Sequence, residues 1–196
     1  MTTRRVGTAA LVAFAFALGV AAGRSAPAPA PLRAGVAPAG EGAYEKMLHV
    51  GIVVRDLDAA VKACEALGFT DIRVLPPNAG VDRHYHGKPI DVTIRQAFIH
   101  GTTPMIELIE APADVPSPWS DFLKDQGEGI HHVAYRVPDA PAELERWKAL
   151  GMKELARGKW AEGDAHWGTF HYVRGEGGGP IVEFISRVPR EKETPR

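Results

Sequence analysis

Two stretches of this chain repeat one another, and each copy opens on a histidine. Residues 49–69 read HVGIVVRDLDAAVKACEALGF and residues 132–152 read HVAYRVPDAPAELERWKALGM, identical at eight ungapped positions. Each copy is followed by an apolar run with a glutamate inside it, MIELIE at 105–110 and IVEFIS at 181–186. His49 precedes Glu107 by 58 residues and His132 precedes Glu183 by 51. A chain written this way folds as two like modules. Two histidines and two glutamates at matching places suggest one metal site shared between the halves.

Local pattern gives each module the order β-α-β-β-β. In the first, residues 48–54 are a short β-branched strand, and Asp56 caps a helix that carries Ala59, Ala60, Ala63 and Leu67 at helical spacing before Gly68 ends it. Strands follow at 69–75, 92–99 and 105–110, with 78–90 read as a polar loop holding His84, Tyr85 and His86. In the second, strands are expected at 133–137, from 152, at 168–174 and at 181–186, with a helix over 141–150 that has Pro141 in its first turn and Gly151 at its end. The glycine-rich GEGGG joins two strands, so it reads as a hairpin turn and not a phosphate loop. Between the modules, PSPWSDFLKDQGEG carries a short helix capped by Ser117 or Ser120. The division is a domain over 44–188, with module 1 at about 47–111, a connecting segment at 112–129, module 2 at about 130–187 and a polar tail at 189–196.

The N-terminus stands apart. Arg4 and Arg5 precede an uncharged apolar run from Val6 to Gly23, with small residues around Ala22, which is the pattern of an export signal. The run also has the length of a membrane anchor if it is not removed. Residues 24–43, RSAPAPAPLRAGVAPAGEGA, are a Pro/Ala-rich linker. The expected location is therefore periplasmic or extracellular, or membrane-anchored through residues 1–23. About 150 residues remain, enough for one domain with its own core. A net charge of −1 without a basic patch argues against nucleic-acid binding. Cys64 is the only cysteine, so no internal disulfide can form, and its spacing reads as a packed, inert thiol.

Strand alternation puts Glu107 on a face with Met105 and Ile109, and Glu183 with Ile181 and Ile185. A carboxylate between apolar neighbours is costly unless it is paired or coordinated. His49 or His132 alone would read as a satisfied core histidine. Their repetition, each with its own glutamate, points to ligands. His131 and His132 are neighbours on a strand and should face opposite ways, so the repeat selects His132.

These motifs, LHVGIVVRDLDAAV, MIELIE, PWSDFLKDQGEGIHHVAYRV and PIVEFIS, resemble the vicinal oxygen chelate superfamily, and within it the branch of glyoxalase I and methylmalonyl-CoA epimerase. The resemblance covers nearly all of residues 47–187. It implies an α+β fold of two tandem β-α-β-β-β modules curled into an open barrel. It also implies one divalent ion (Co, Ni, Mn, Fe or Zn) held by His49, Glu107, His132 and Glu183, with two positions open to a small substrate bearing vicinal oxygens. The expected activity is that of a lyase or isomerase moving a proton next to a carbonyl; a homodimer is one assembly open to it, and the sequence does not fix the oligomeric state. In the epimerases a further glutamate serves as base. The segment PPNAGVDRHYHGKPIDVTIRQAF, before and into the third strand, holds no glutamate, which leaves Asp82, His84, His86 or Asp91 as substitutes, or Glu183 itself as in glyoxalase I. His171, Trp160 and Trp167 are candidates for the cavity wall. The competing functions are a small-molecule-sequestering module without catalysis and an Fe(II) ring-cleaving dioxygenase.

Overall fold

Tyr44 and residues 46–190 are described by the computed structural model. The expected signal segment, the linker and most of the polar tail lie outside the described residues. In chain order the elements are β1 (Met47–Val53), α1 (Leu57–Ala66), β2 (Ile72–Val74), β3 (Val81–Tyr85), β4 (Lys88–Pro89), β5 (Arg95–Ile99), β6 (Met105–Glu110), α2 (Pro118–Gln126), β7 (Gly129–Arg136), α3 (Ala140–Ala149), β8 (Met152–Glu162), β9 (His166–Gly175) and β10 (Gly178–Pro189). No described helix is long and apolar enough to cross a membrane.

The ten strands form one open mixed sheet in the order β2-β5-β6-β1-β7-β10-β9-β8-β3-β4. The duplication is visible in that order. β1-β6-β5-β2 and β7-β10-β9-β8 are the same arrangement, and the two first strands join antiparallel at the centre. In each half the first strand also pairs in parallel with the last, β1 with β6 and β7 with β10. This is the expected α+β architecture.

Helices α1 and α3 take the outer face. Asp56 and Asp139 are the N-caps of α1 and α3, and each carboxylate accepts from the backbone N–H three residues on. α1 lays Leu57 against Ala97 and Leu108, while α3 lays Leu144 near Val173 and Phe184. The even-numbered residues of β6 and β10 thus serve the helices. The odd-numbered ones, Ile109, Ile181 and Ile185, pack in the larger inner cluster. Alternation then carries Glu107 and Glu183 inward. α2 begins at a capping box in which Ser117 and Ser120 satisfy each other's backbone N–H groups, and it seats Trp119 in the inner core.

The region read as a loop differs. Residues 81–89 form a hairpin, β3–β4, whose turn His86-Gly87 has φ of 50° and 74°, the backbone hand that joins two strands tightly. The run VDRHY escaped notice because its side chains are mostly polar and its partner strand is two residues long. The hairpin leaves its own module and pairs β3 with β8 of the other. The GEGGG segment does make the β9–β10 turn, with Gly178 and Gly179 both at φ of 95°.

Candidate metal and substrate site

His49, Glu107, His132 and Glu183 meet at the centre of the inner face. Each offers one ligand atom, and these atoms lie within 4.8 Å of one another. The four residues are 4%, 4%, 1% and 5% exposed, so water does not solvate them. His49 Nε2 faces His132 Nε2 at 3.1 Å, and a gap of that kind holds one proton at most. Glu183 Oε2 is 3.0 Å from His49 Nε2 and 3.2 Å from His132 Nε2, and yet it accepts no well-directed hydrogen bond. The four atoms are aimed at a common point more than at one another. Two buried carboxylates and two imidazoles around such a point could hold a metal ion.

Pairing places the ligands. His49 lies opposite Ala134 on β7, and His132 lies opposite Gly51 on β1. Each imidazole therefore sits over a small residue of the other module. Burial alone would lower the His49 pKa, but the charges of Glu107 and Glu183 reverse this and push it up to about 10. Burial likewise opposes ionisation of Glu107, and the imidazoles of His49 and His132 override it, holding the carboxyl below its usual range. Gln96 on β5 donates its amide N–H to Glu107 Oε1, which fixes that carboxylate from behind.

His131 corrects the sequence reading. Gly51 pairs with His132 and Ile52 with Ile130, so His131 is the extra residue of a β-bulge. The bulge turns its ring inward instead of to the opposite face. There it packs edge-on to Phe122, and its Nδ1 lies 2.9 Å from His132 Nδ1. Burial, then the neighbouring His132, pushes the His131 pKa down to about 3, so the ring is neutral. A neutral His131 can accept the Nδ1–H of His132. Burial opposes protonation of His132, but the charges of Glu183 and Glu107 raise its pKa, so its Nε2 would become a ligand as a metal displaces that proton.

His49, Glu107 and Glu183 of the cluster form one wall of a cavity of about 170 Å³, which also meets Arg83, Gln96, Trp119, Trp160, Phe170 and Tyr172, while His132 lies behind them. Of the expected wall residues, Trp160 is there. Trp167 and His171 are not, because β9 turns Phe170 and Tyr172 inward and its odd-numbered residues outward. His171 Nδ1 pairs with Glu154 at 2.8 Å, and Arg190 lies over the Trp167 ring at 4.1 Å. The substitute bases also miss the cavity. Asp82 is exposed and lies 3.4 Å from Lys159, His84 turns to the Asp82 carbonyl, and His86 and Asp91 face solvent. Among the described residues, Glu107 and Glu183 are the only carboxylates on the cavity wall. Sequence reasoning missed Arg83, Gln96 and Tyr172. Arg83 was hidden in the presumed loop, and the other two carry no local signal beyond strand alternation.

A family model of the Glyoxalase/Bleomycin resistance protein/Dioxygenase superfamily matches residues 48–172. The chain is 34% identical over 115 residues to an ethylmalonyl-CoA/methylmalonyl-CoA epimerase of Cereibacter sphaeroides, a match covering 58% of this chain and 77% of that protein. The crystal structure of methylmalonyl-CoA epimerase from Mycobacterium tuberculosis aligns with a TM-score of 0.51 at 23% identity, over 74% of this chain and 89% of that one, and supports the fold. With the duplicated modules, these matches show that the chain belongs to the glyoxalase/bleomycin resistance/dioxygenase superfamily, also called vicinal oxygen chelate, on its epimerase-like side.

Proposed function

We propose that this chain is a metal-dependent isomerase or lyase that moves a proton at a carbon next to a carbonyl. The observation that carries the reading is the convergence of four buried ligand atoms within 4.8 Å. The epimerase relative supports the isomerase form. His49, Glu107, His132 and Glu183 would hold one divalent ion, whose Lewis acidity would polarise the two neighbouring oxygens of a small substrate.

The protein's own groups do the rest. Gln96 and His131 keep Glu107 and His132 in their ligating orientations. Trp119, Phe170 and Tyr172 would supply an apolar wall beside the reacting carbon. Glu183 takes the proton. Among the described residues its carboxylate accepts no hydrogen bond from outside the cluster, unlike Glu107, and it is the freer of the two to do so. An exported location, which we also propose from residues 1–43, sets the substrate apart from coenzyme A thioesters.

The test is deuterium exchange at the substrate α-carbon. The metal-loaded full chain is incubated in deuterated water with α-hydroxy-carbonyl compounds, hemithioacetals and acyl thioesters. Metal-dependent exchange is expected with at least one class. Tight binding without exchange would favour the sequestering module, a reading suggested by Gln96, an amide, standing beside Glu107 where no third carboxylate is found. Oxygen uptake with Fe(II) and a catechol would favour the dioxygenase, which a set of two carboxylates fits less well than one.

A further inference from the structure

We propose that Arg83 is the substrate-recognition residue of this cavity and binds an oxyanion, a carboxylate or phosphoryl group, on the small molecule held at the cluster. The inference rests on the proposed reading of the cavity as the substrate site and names the class of substrate it admits.

Arg83 is 5% exposed, and among the described residues no carboxylate pairs with it. One of its five N–H donors has a protein acceptor, the Val92 carbonyl, at 2.7 Å from Nη1. Its Nε is buried with no partner at all. The guanidinium lies over the Trp119 ring, 5.4 Å from its centroid, a contact that holds the plane without using the donors. A buried guanidinium left this way is costly unless an anion arrives. Lys159, the other cation on the wall, already has Asp82 at 3.4 Å.

The position is built. β3 reaches across to β8, and two glycines make room for the Arg83 side chain there. A Cβ on Gly158 of β8 would come within 2.9 Å of Arg83 Cγ, and one on Gly80 within 2.2 Å of Nε. The charges agree with the assignment. A divalent ion would balance Glu107 and Glu183, and Arg83 would then leave the cavity one positive charge in excess. Arg83 lines that space, and a guanidinium's planar set of donors, of which Nη1 is held by Val92 and Nε lies against Gly80, suits the oxygens of an anionic group reached through Nη2.

The experiment is calorimetric titration of the full chain, loaded with Co(II), with malonate, phosphoglycolate and the uncharged malonamide. Wild type should bind one of the two anions at least tenfold more tightly than malonamide, and the preferred anion tells carboxylate from phosphoryl. Arg83→Met should weaken that anion tenfold or more, weaken malonamide by a smaller factor, and leave cobalt content unchanged. Arg83→Lys should recover part of the loss. A wild-type chain with no preference for the anions overturns the proposal. So does a folded Arg83→Met variant that binds the anion like wild type. Should Arg83→Met fail to fold, the wild-type preference and the Arg83→Lys shift decide. Anion binding that needs Arg83 in a chain taking up no cobalt would sink the metal reading and leave Arg83 standing. Cobalt uptake without anion preference would do the reverse.

Discussion

Gly51 and His132 face each other across the β1–β7 pair, and a Cβ on Gly51 would lie 1.9 Å from His132 Cε1. The imidazole occupies the space that any other residue would fill. β7 backbone and the His131 ring leave it little room to retreat. Gly51→Ala should therefore cut metal affinity by a hundredfold or more while β1 still forms. Metal content by emission spectroscopy, read beside circular dichroism, checks this. Wild-type metal content in the folded variant would show that His132 is not a ligand.

His131 and His132 separate into two roles. His132→Ala should abolish stoichiometric metal binding. His131→Ala removes only the acceptor that orients His132 and should weaken metal roughly 10–100-fold, the usual cost of losing such a partner. His131→Asn, which keeps an acceptor, should recover part of it. Equal loss in the two alanine variants would make His131 a ligand and the bulge argument wrong.

The cluster also sets a pH dependence. In the metal-free protein the His49 pKa is raised to about 10 from an ordinary value near 6.5. Its contribution to stability is present in full below about pH 6.5 and is lost as pH rises toward 10. Glu107 is depressed, so its contribution is present above about pH 4.5 and is lost as pH falls through its lower folded value. The metal-free chain should be most stable between about pH 4.5 and 6.5. Metal needs the neutral imidazole, so its binding gains as protons leave. Thermal melts with and without metal should show a larger metal-induced rise in Tm at pH 8.5 than at pH 5.5. A larger rise at pH 5.5 would contradict the pairing.

Much of this was legible because it is written twice or written locally. The repeat picked out His49, Glu107, His132 and Glu183, and the structure brings those four together. Asp56, Gly68, Pro141 and Ser117 announced their helix ends through side-chain chemistry that acts within a few residues. What stayed hidden depends on distant pairing. Arg83 becomes buried only because β3 crosses to β8 of the other module. His131 turns inward only because β7 bulges against β1. Trp167 and His171 were assigned inward without a register to fix the face of β9, and a one-residue shift in such a strand exchanges inside for outside.

Residues 1–43 yield a prediction of their own. The basic start, the apolar run and the proline-rich linker lead us to expect that these residues carry a fused reporter out of the cytoplasm. Alkaline phosphatase, active only after export, is a suitable reporter. Arg4 and Arg5 changed together to Gln should reduce the exported fraction. A reporter retained wholly in the cytosol would remove the export proposal and return coenzyme A thioesters to the substrate panel.

The two glutamates of the cluster are not equivalent, and this gives the sharpest test of the chemistry. Glu107 is held from behind by the Gln96 amide, so its free oxygen has one task, to complete the cluster. Among the described residues, no side chain outside the cluster donates to Glu183, whose Oε2 accepts no hydrogen bond. Changing either to glutamine keeps an oxygen that can ligate and removes the ability to take a proton. Glu183→Gln should keep metal affinity within about tenfold and lower α-proton exchange by a factor of roughly 10²–10⁴, the usual contribution of a positioned base. Glu107→Gln, measured at saturating metal, should lose less than tenfold in exchange. The quantity to compare is the exchange rate per bound metal, by proton NMR in deuterated water. If Glu107→Gln is the slower variant by that measure, the base has been assigned to the wrong carboxylate. If both exchange as wild type, the proton goes to a group outside the cluster.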